Sequence, residues 1–280
     1  MPELPEVEIT RRGLLPLINQ NVTAVVIRNA SMRWPITAHL PETLHNKKLI
    51  NLTRRAKYIL AEFGAVSGDN ITPCGTLLLH LGMSGRICLL ERNYPPEKHD
   101  HFDIMFGDGR VLRLRDPRRF GAVLWAGDNP NEHKLISVLG PEPLEAGFNA
   151  PYLYDSIRTR TAAIKVTIMD GHLVVGVGNI YASESLFRAR IHPEMPAKKL
   201  TLKQCQTLVT EIKATLNDSL NAGGSSLRDF FGADGNPGYF QQEYFVYGRA
   251  GELCKVCASV IKKIRLGQRS TFYCEKCQLK

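Results

Sequence analysis

Four of the seven cysteines have the spacing of a metal site. Cys254 and Cys257 form one Cys-x2-Cys pair, and after sixteen residues Cys274 and Cys277 form a second. Two thiolate pairs joined by a hairpin-length insert match tetrahedral zinc. Two disulfides are the alternative, but they require an oxidising compartment, and the N-terminus shows no export signal. Because cysteine occupies all four positions and leaves no coordination site open, we expect one zinc ion that is structural rather than catalytic.

The N-terminus carries a second kind of chemistry. If Met1 is removed, Pro2 has a free secondary amine, and an α-amino group loses its proton more easily than a lysine does. Such an amine can attack an aldehyde-level carbon and form an iminium, which acts as an electron sink for eliminations. Glu3 could then donate a proton to a leaving or ring oxygen. The alternative is structural, with the prolines starting a helix and the glutamates favouring its positive end.

The charge of the chain favours a polyanionic partner. Lys and Arg total 36 against 27 for Asp and Glu, which gives a net charge of +9. The basic residues form three clusters: Arg54, Arg55 and Lys57; Arg113, Arg115, Arg118 and Arg119; Lys262, Lys263, Arg265 and Arg269. Phosphate contacts need such side chains. A single cluster is usually a solvated surface, but three clusters beside a zinc module favour nucleic acid.

Three further segments have two interpretations each. Residues 175–182 resemble a glycine-rich turn that leads into a helix, where backbone N–H groups can bind phosphate or the glycines can serve packing. Met83 lies in a tight glycine-flanked run, and Phe120 follows two arginines. Either side chain could be a wedge that fills the space of an extruded base, or a core residue.

The elements that must position these residues change type along the chain. Apolar residues at helical spacing predict a helix over the first ~20 residues. From residue 22 to 125 short apolar runs alternate with turn residues, which predicts a β-sandwich or barrel. The predicted strands cover residues 22–28, 49–63, 76–81, 102–106 and 111–115, with a hairpin turn at 107–109.

The second half is predicted to be helical. A Pro/Gly-rich stretch at residues 140–147 indicates a linker. Residues 201–222 form the clearest helix, with a capping box of Thr201 and Gln204 and an apolar face. A glycine-rich stretch covers residues 223–238, and the zinc module follows. The chain has no apolar run of membrane-spanning length and no targeting segment, so we expect a cytoplasmic protein.

Five runs, in this order, resemble the formamidopyrimidine-DNA glycosylase family over essentially the whole chain. They are residues 2–8, 80–85, 116–121, 174–184 and the four-cysteine module with residues 268–274. The resemblance implies an α+β multidomain fold: an N-terminal β-sandwich whose helix carries the N-terminus, a helix-two-turn-helix domain and a four-Cys zinc finger. The expected boundaries are 1–139 for the sandwich, 140–149 for the linker, 150–240 for the helical domain with a lesion-capping loop, and 241–280 for the zinc finger.

The resemblance also implies roles for individual residues. Pro2 would be the nucleophile at C1′, Glu3 the proton donor that opens the sugar, and Glu6 a supporting residue. Lys57 and Arg269 would contact phosphate and assist β- and δ-elimination. The other implied DNA contacts are Met83, His99, Arg118, Phe120, Arg160, Lys165 and Asn179, of which Met83, Arg118 and Phe120 would fill the void and meet the orphaned cytosine. The loop at 223–238 would close over the flipped base.

The implied activity is excision of oxidised purines, such as 8-oxoguanine and formamidopyrimidines, from duplex DNA. The abasic site would then be cleaved by β,δ-elimination through an iminium on Pro2, and no metal or organic cofactor would take part in the chemistry. The partner would be double-stranded DNA, and the protein a monomer without membrane attachment. One departure is visible: residues 64–75 are longer than expected, and we interpret them as a surface loop.

Two alternatives remain. The endonuclease VIII branch of the same superfamily prefers oxidised pyrimidines, but it usually has Gly where this chain has Leu4. A non-catalytic, damage-sensing DNA-binding protein with a zinc finger is the second alternative, and Pro2 and Glu3 argue against it.

Overall fold

Eight strands in the first 137 residues form two antiparallel four-stranded sheets. The computed structural model describes residues 2–223 and 244–279. The described chain divides into a first unit, up to Ser137 and with Gly223, and a second unit of residues 138–222 and 244–279. The strands are β1 (Val22–Ile27), β2 (Lys48–Arg55), β3 (Tyr58–Ser67), β4 (Asn70–His80), β5 (Arg86–Glu91), β6 (Asp100–Phe106), β7 (Arg110–Arg115) and β8 (Ala122–Gly127). One sheet has the order β1-β6-β7-β5 and the other β2-β3-β4-β8.

A single apolar core lies between the two sheets. Alternate residues of both sheets face it, as Leu77 and Leu79 do in β4 and Phe102 and Ile104 in β6, and all are at most 1% exposed. Two short helices close the sandwich, α1 (Leu4–Gly13) and α2 (Leu40–Leu44). The apolar side of α1 adds Val7 to the core, and the expected β-sandwich with an N-terminal helix is confirmed.

The predicted run over residues 49–63 is two strands rather than one. β2 and β3 are joined by the two-residue turn Ala56–Lys57, and Arg55 pairs with Tyr58 across it. Ala56 has φ +55°, in the left-handed region that non-glycine residues seldom adopt. The turn therefore places Lys57 at a tight hairpin end that lacks the usual Gly or Asn signal.

The segment at residues 64–75 was expected to be a surface loop, and that expectation is wrong because most of the segment is strand. β3 and β4 continue pairing to Ser67 and Asn70, with a turn at Gly68 and Asp69. The additional residues therefore lengthen the β3–β4 hairpin, because their backbone groups are hydrogen bonded to each other.

Between residues 138 and 222 the α-helices are α3 (Ala150–Ile157), α4 (Ile164–Ile168), α5 (Asn179–Arg188) and α6 (Leu202–Asn221). The capping box of Thr201 and Gln204 begins α6 as predicted. α6 packs against α3 and α5, and the Tyr181 hydroxyl lies 2.6 Å from that of Ser219. The stretch at residues 140–147 has no helix or strand and is hydrogen bonded within this unit, with the Gly140 N–H donating to the Gly171 carbonyl at 2.8 Å.

The cysteine module is built on a β-hairpin of β9 (Lys262–Leu266) and β10 (Arg269–Tyr273). Gly267 and Gln268 form its turn with φ +52° and +61°, a conformation typical of two-residue hairpins. Phe272 and Ile261 pack with Phe187 of α5 and the cysteines in a small core. The expected sequence of a β-sandwich, a helical domain and a four-Cys module is confirmed. Within the described ranges, none of the helices has the length and apolar character of a membrane span.

Candidate active site

The proposed nucleophile stands directly before a capped helix. Pro2 is half-buried, and Glu3 is the N-cap of α1. The Glu3 N–H donates to Glu6 Oε2 at 2.8 Å, and the two glutamates form a capping box. Their side chains are 1% and 0% exposed. The buried carboxylate of Glu6 therefore holds the peptide group that follows Pro2.

Helix α1 is anchored to the strand that leads to Lys57. Arg11 donates to the Leu52 carbonyl of β2 at 2.9 Å, and Glu8 lies 3.5 Å from Arg54. The basic cluster of Arg54, Arg55 and Lys57 therefore does not act as one surface. Arg54 belongs to the anchor, whereas Lys57 lies half-buried in the β2–β3 turn.

His80, to which the sequence assigned no role, lies at the end of β4, close to Lys57. Its ring lies 4.7 Å from that of Tyr58, and Nδ1 accepts the Gly82 N–H at 3.1 Å. Burial, together with the nearby charges of Lys57 and Arg33, lowers the pKa of His80 to about 4. The ring is therefore neutral at pH 7. Because Nδ1 accepts a hydrogen bond, the single ring N–H is on Nε2 and can donate one. The run at residues 80–85 contained the only sequence signal for it.

The two expected wedge residues lie on neighbouring loops. Met83 is half-buried, and Phe120 is 37% exposed with the Arg118 guanidinium 5.0 Å from its ring centre. Gly82 has φ +62°, and a Cβ there would lie 2.3 Å from the backbone carbon of Phe120. The loops therefore touch through their backbones, which leaves the Phe120 and Arg118 side chains at the surface.

The cluster around Asp116 is not uniformly a phosphate-binding surface. Arg113 is 3% exposed and donates to both oxygens of Asp103 at 2.9 Å. Arg115 donates to both oxygens of Asp100, at 2.6 and 2.9 Å. These two arginines hold β6 and β7 together, and only Arg118 and Arg119 of the cluster are exposed.

His99 lies half-buried just before β6. Its carbonyl accepts the Asp116 N–H at 3.0 Å, and its ring centre lies 6.5 Å from that of His101. The first unit thus holds eight of the expected site residues: Pro2, Glu3, Glu6, Lys57, Met83, His99, Arg118 and Phe120.

In the second unit Lys165, Asn179 and β10 form one hydrogen-bonded group. Lys165 Nζ donates to Asn179 Oδ1 and, at 2.9 Å, to Thr271 Oγ1. The Asn179 amide donates to the Ser270 carbonyl at 3.0 Å. Lys165, expected to contact DNA directly, is 1% exposed. The Lys165 ammonium donates its hydrogen bonds to acceptors inside the protein. Asn179 is half-buried at the first turn of α5.

Arg269 and Arg160 differ in their surroundings. Arg269 is exposed at the first position of β10, beside the turn. Arg160 is about one-third exposed and donates to Asp170 Oδ2 at 2.7 Å. Burial alone would raise the pKa of Asp170, but hydrogen bonds from Arg160 and His172 outweigh it and lower this pKa to about 2. Arg160 can therefore offer only part of its donor set to a further anion.

The four predicted cysteine ligands converge. Their sulfur atoms all lie within 4.8 Å of one another, with 3.9 Å between Cys254 and Cys277 and 3.4 Å between Cys257 and Cys274. Zn–S bonds of about 2.3 Å at tetrahedral angles place sulfurs about 3.8 Å apart. Hydrogen bonds with Ser259 lower the pKa of Cys257 to about 6, whereas burial raises that of Cys277 to about 12. The donor set fits one structural zinc, which would stabilise all four thiolates.

The lesion-capping loop expected at residues 223–238 lies outside the described residues, apart from Gly223. The residues that follow it are anchored to α5. The Glu184 carboxylate accepts the backbone N–H groups of Phe245, Val246 and Tyr247 at 2.8 to 2.9 Å. Burial of Glu184 raises its pKa in spite of these three donors.

Comparison with known proteins gives a consistent result along the chain. Family models match for the N-terminal domain of formamidopyrimidine-DNA glycosylase at residues 1–123, for its H2TH domain at 139–231, and for the zinc finger found in FPG and IleRS at 251–279. The formamidopyrimidine-DNA glycosylase of Methylobacillus flagellatus is 66% identical over 278 residues, which cover 99% of this chain and 96% of that protein. That of Saccharophagus degradans is 51% identical over 99% of this chain and 100% of its own.

Solved structures agree. Lactococcus lactis Fpg in complex with DNA containing an abasic site has a TM-score of 0.89 and 33% identity, over 99% of this chain and all of that chain. The same enzyme with DNA containing Fapy-dG gives 0.88 and 32%, over 99% and 100% of the two chains. MutM (Fpg) from Thermus thermophilus gives 0.86 and 33%, over 99% and 98%. The chain therefore belongs to the formamidopyrimidine-DNA glycosylase family.

Proposed function

We propose that the chain removes oxidised purines, such as 8-oxoguanine and formamidopyrimidines, from duplex DNA and then cleaves the abasic site. The observation that carries the proposal is the start of α1, where Pro2 precedes an amide held by the buried carboxylate of Glu6. Once Met1 is removed, a secondary amine beside a buried glutamate suits nucleophilic attack on C1′. Family membership supports the same activity, since Lactococcus lactis Fpg has been solved with DNA containing Fapy-dG.

The first half of the reaction exchanges the base for Pro2. The Pro2 nitrogen forms a bond to C1′, the glycosidic bond breaks, and the base leaves with that electron pair. The nitrogen loses its proton, and Glu3 protonates the ring oxygen O4′. The C1′–O4′ bond then breaks and the nitrogen lone pair completes the iminium.

The second half cuts the strand on both sides of the sugar. The iminium acidifies the C2′ proton, whose loss expels the 3′ phosphate, and loss of the C4′ proton then expels the 5′ phosphate. Lys57 binds phosphate and assists the first elimination, and Arg269 assists the second. The zinc has no part in the bond-breaking steps. It holds the hairpin from which Arg269 extends.

The remaining site residues bind and deform DNA. Met83, Arg118 and Phe120 fill the void left by the flipped nucleotide and meet the orphaned cytosine. Other DNA contacts come from His99, Arg160 and Asn179, with Lys165 acting through Asn179. We add His80 and Arg33 as phosphate contacts, because the charges of Lys57 and Arg33 both lie close to the neutral His80 ring and the Arg33 side chain is exposed.

Three further expectations complete the proposal. The functional domains are 1–139, 150–240 and 241–280, with 140–149 as the linker. The protein acts as a monomer. It acts on DNA in the cytoplasm.

Borohydride trapping tests the mechanism. The protein is mixed with a duplex carrying 8-oxoguanine opposite cytosine, and borohydride reduces any iminium to a stable amine. A covalent adduct whose peptide maps to Pro2 is expected, with loss of the adduct in Pro2→Gly. Intact binding without an adduct, in protein whose mass shows that Met1 is absent, would contradict the proposal.

The same assay separates the alternatives. A preference for thymine glycol over 8-oxoguanine would identify a pyrimidine-specific enzyme. A protein that binds lesion duplex, and in which Glu3→Gln alters only affinity, would be a damage sensor rather than an enzyme.

A further inference from the structure

The carboxylate of Asp116 joins the two loops that carry the wedge residues. Its side chain is fully buried, at 0% exposure. Oδ1 accepts the Ser84 hydroxyl at 2.8 Å and the Arg118 N–H at 3.2 Å, and Oδ2 accepts the Gly121 N–H at 2.8 Å. One carboxylate thus binds the loop at residues 81–85, here named the Met83 loop, and the loop at 116–121, named the Arg118 loop.

The two loops have little room to shift around this carboxylate. A Cβ at Gly121 would lie 2.8 Å from the His80 carbonyl oxygen and 3.2 Å from Asp116 Oδ2. A Cβ at Gly85 would lie 2.4 Å from the Leu81 carbonyl oxygen and 3.4 Å from Asp116 Cγ. Since backbone and carboxylate are in close contact on both sides, a displacement of Asp116 must displace both loops.

The backbone of Asp116 extends the same junction to His99. The Asp116 N–H donates to the His99 carbonyl at 3.0 Å. The Asp116 carbonyl accepts the Arg119 N–H at 3.2 Å and lies 2.8 Å from His101 Nε2. Four DNA-contacting side chains are proposed for these loops and for the residue before β6: Met83, His99, Arg118 and Phe120. His99 and Arg118 are hydrogen bonded to Asp116 directly. Met83 and Phe120 are next in sequence to Ser84 and Gly121, which are hydrogen bonded to Asp116.

A carboxylate suits this junction better than other side chains. The three donors are neutral groups, and hydrogen bonds to an ionised acceptor are roughly twice as strong as neutral ones. An alanine would leave the Gly121 N–H and the Ser84 hydroxyl without this acceptor inside the protein, which is costly for buried groups. An asparagine keeps one acceptor oxygen but places an NH₂ group on one side, where an N–H now donates.

We propose that Asp116 is a positioning residue that sets the shared geometry of the Met83 and Arg118 loops and thereby determines how strongly the enzyme discriminates the base opposite the lesion. The proposal rests on the proposed function, because it concerns the side chains that fill the void beside the orphaned base. Asp116 touches no reacting atom in the proposed mechanism. It acts through Ser84, Arg118 and Gly121.

The test is the ratio of kcat/KM for 8-oxoguanine excision opposite cytosine to that opposite adenine. The variants are Asp116→Ala, Asp116→Asn and Ser84→Ala, with the exposed Ser31→Ala as the matched control. Asp116→Ala is expected to reduce this ratio towards unity by a factor of about five or more, which corresponds to the loss of at least one hydrogen bond. Asp116→Asn should restore part of the ratio, Ser84→Ala should lower it in the same direction, and Ser31→Ala should leave it unchanged.

Cleavage of an abasic site in single-stranded DNA separates positioning from general damage, because this substrate has no opposite base. The variants should cleave it within about twofold of the wild-type rate. A folded Asp116→Ala with the wild-type ratio, or one that loses both activities in proportion, overturns the proposal. If Asp116→Ala does not fold, an unchanged ratio in Ser84→Ala overturns it. A wild-type protein that excises no 8-oxoguanine would instead refute the proposed function itself.

Discussion

The Lys165 ammonium donates a hydrogen bond to the side-chain oxygen of Asn179. This bond fixes the orientation of the Asn179 amide, because its nitrogen then faces the Ser270 carbonyl on β10. Lys165 also donates to Thr271 of the same strand. A buried cation thus ties the first turn of α5 to the hairpin that carries Arg269, and one residue positions two proposed phosphate contacts.

This arrangement predicts different salt dependences for two basic residues. Lys165→Met should weaken DNA binding but leave the slope of log affinity against log salt unchanged, because Lys165 releases no counterions from DNA. Arg269→Gln should reduce the magnitude of that slope by about 1. Fluorescence anisotropy with a duplex carrying an uncleavable abasic analogue measures both. Equal loss of slope in the two variants would restore a direct phosphate contact for Lys165.

The capping box at the N-terminus predicts a graded effect at Glu6. Glu6→Ala removes the acceptor of the Glu3 N–H and should lower the free energy of unfolding by about 1 kcal/mol. It should also slow single-turnover excision, because the amide after Pro2 loses its partner. Glu6→Gln keeps an acceptor oxygen and should retain more of both. Glu91→Ala, at an exposed position in β5, is the control. An excision rate in Glu6→Ala equal to that of the control would remove the positioning role.

Local signals were sufficient for part of this fold. Thr201 and Gln204 predict the start of α6 because a capping box and a 3.6-residue period are both encoded within one helix. The break between β2 and β3 was not predictable in the same way. Its turn consists of Ala56 and Lys57, and an alanine in the left-handed region leaves no sequence signal.

Partners that are distant in sequence account for the rest. The sequence shows that Arg113 is basic, but not that its guanidinium faces Asp103 across β6 and β7 rather than solvent. Lys165 is a similar case, because its acceptor Thr271 lies more than a hundred residues away. Residue types predicted the chemistry at Pro2 and the zinc ligands, whereas tertiary pairing decided which cations remain available to DNA.

The cysteine cluster predicts one zinc ion per chain. Cys274→Ser should abolish zinc binding, since it removes one of four ligands, and should weaken DNA binding because Arg269 extends from the same hairpin. Metal analysis by mass spectrometry measures the first effect and anisotropy the second. Cys74→Ser is the matched control, because Cys74 lies outside the cluster and donates to the Phe63 carbonyl. Wild-type zinc content in Cys274→Ser would contradict the assignment.

His80 predicts a pH-dependent contribution to stability. In the unfolded chain it takes up a proton near its ordinary pKa of 6.5, whereas in the fold its pKa is about 4. Between these values the unfolded state binds more protons, so the free energy of unfolding falls as pH falls, by up to about 3 kcal/mol. The stability difference between wild type and His80→Gln should therefore be full at pH 7.5 and shrink at pH 4.5. Chemical denaturation at both pH values measures it, with the exposed His45→Gln as control. A difference that is the same at both pH values would show that His80 titrates normally in the fold.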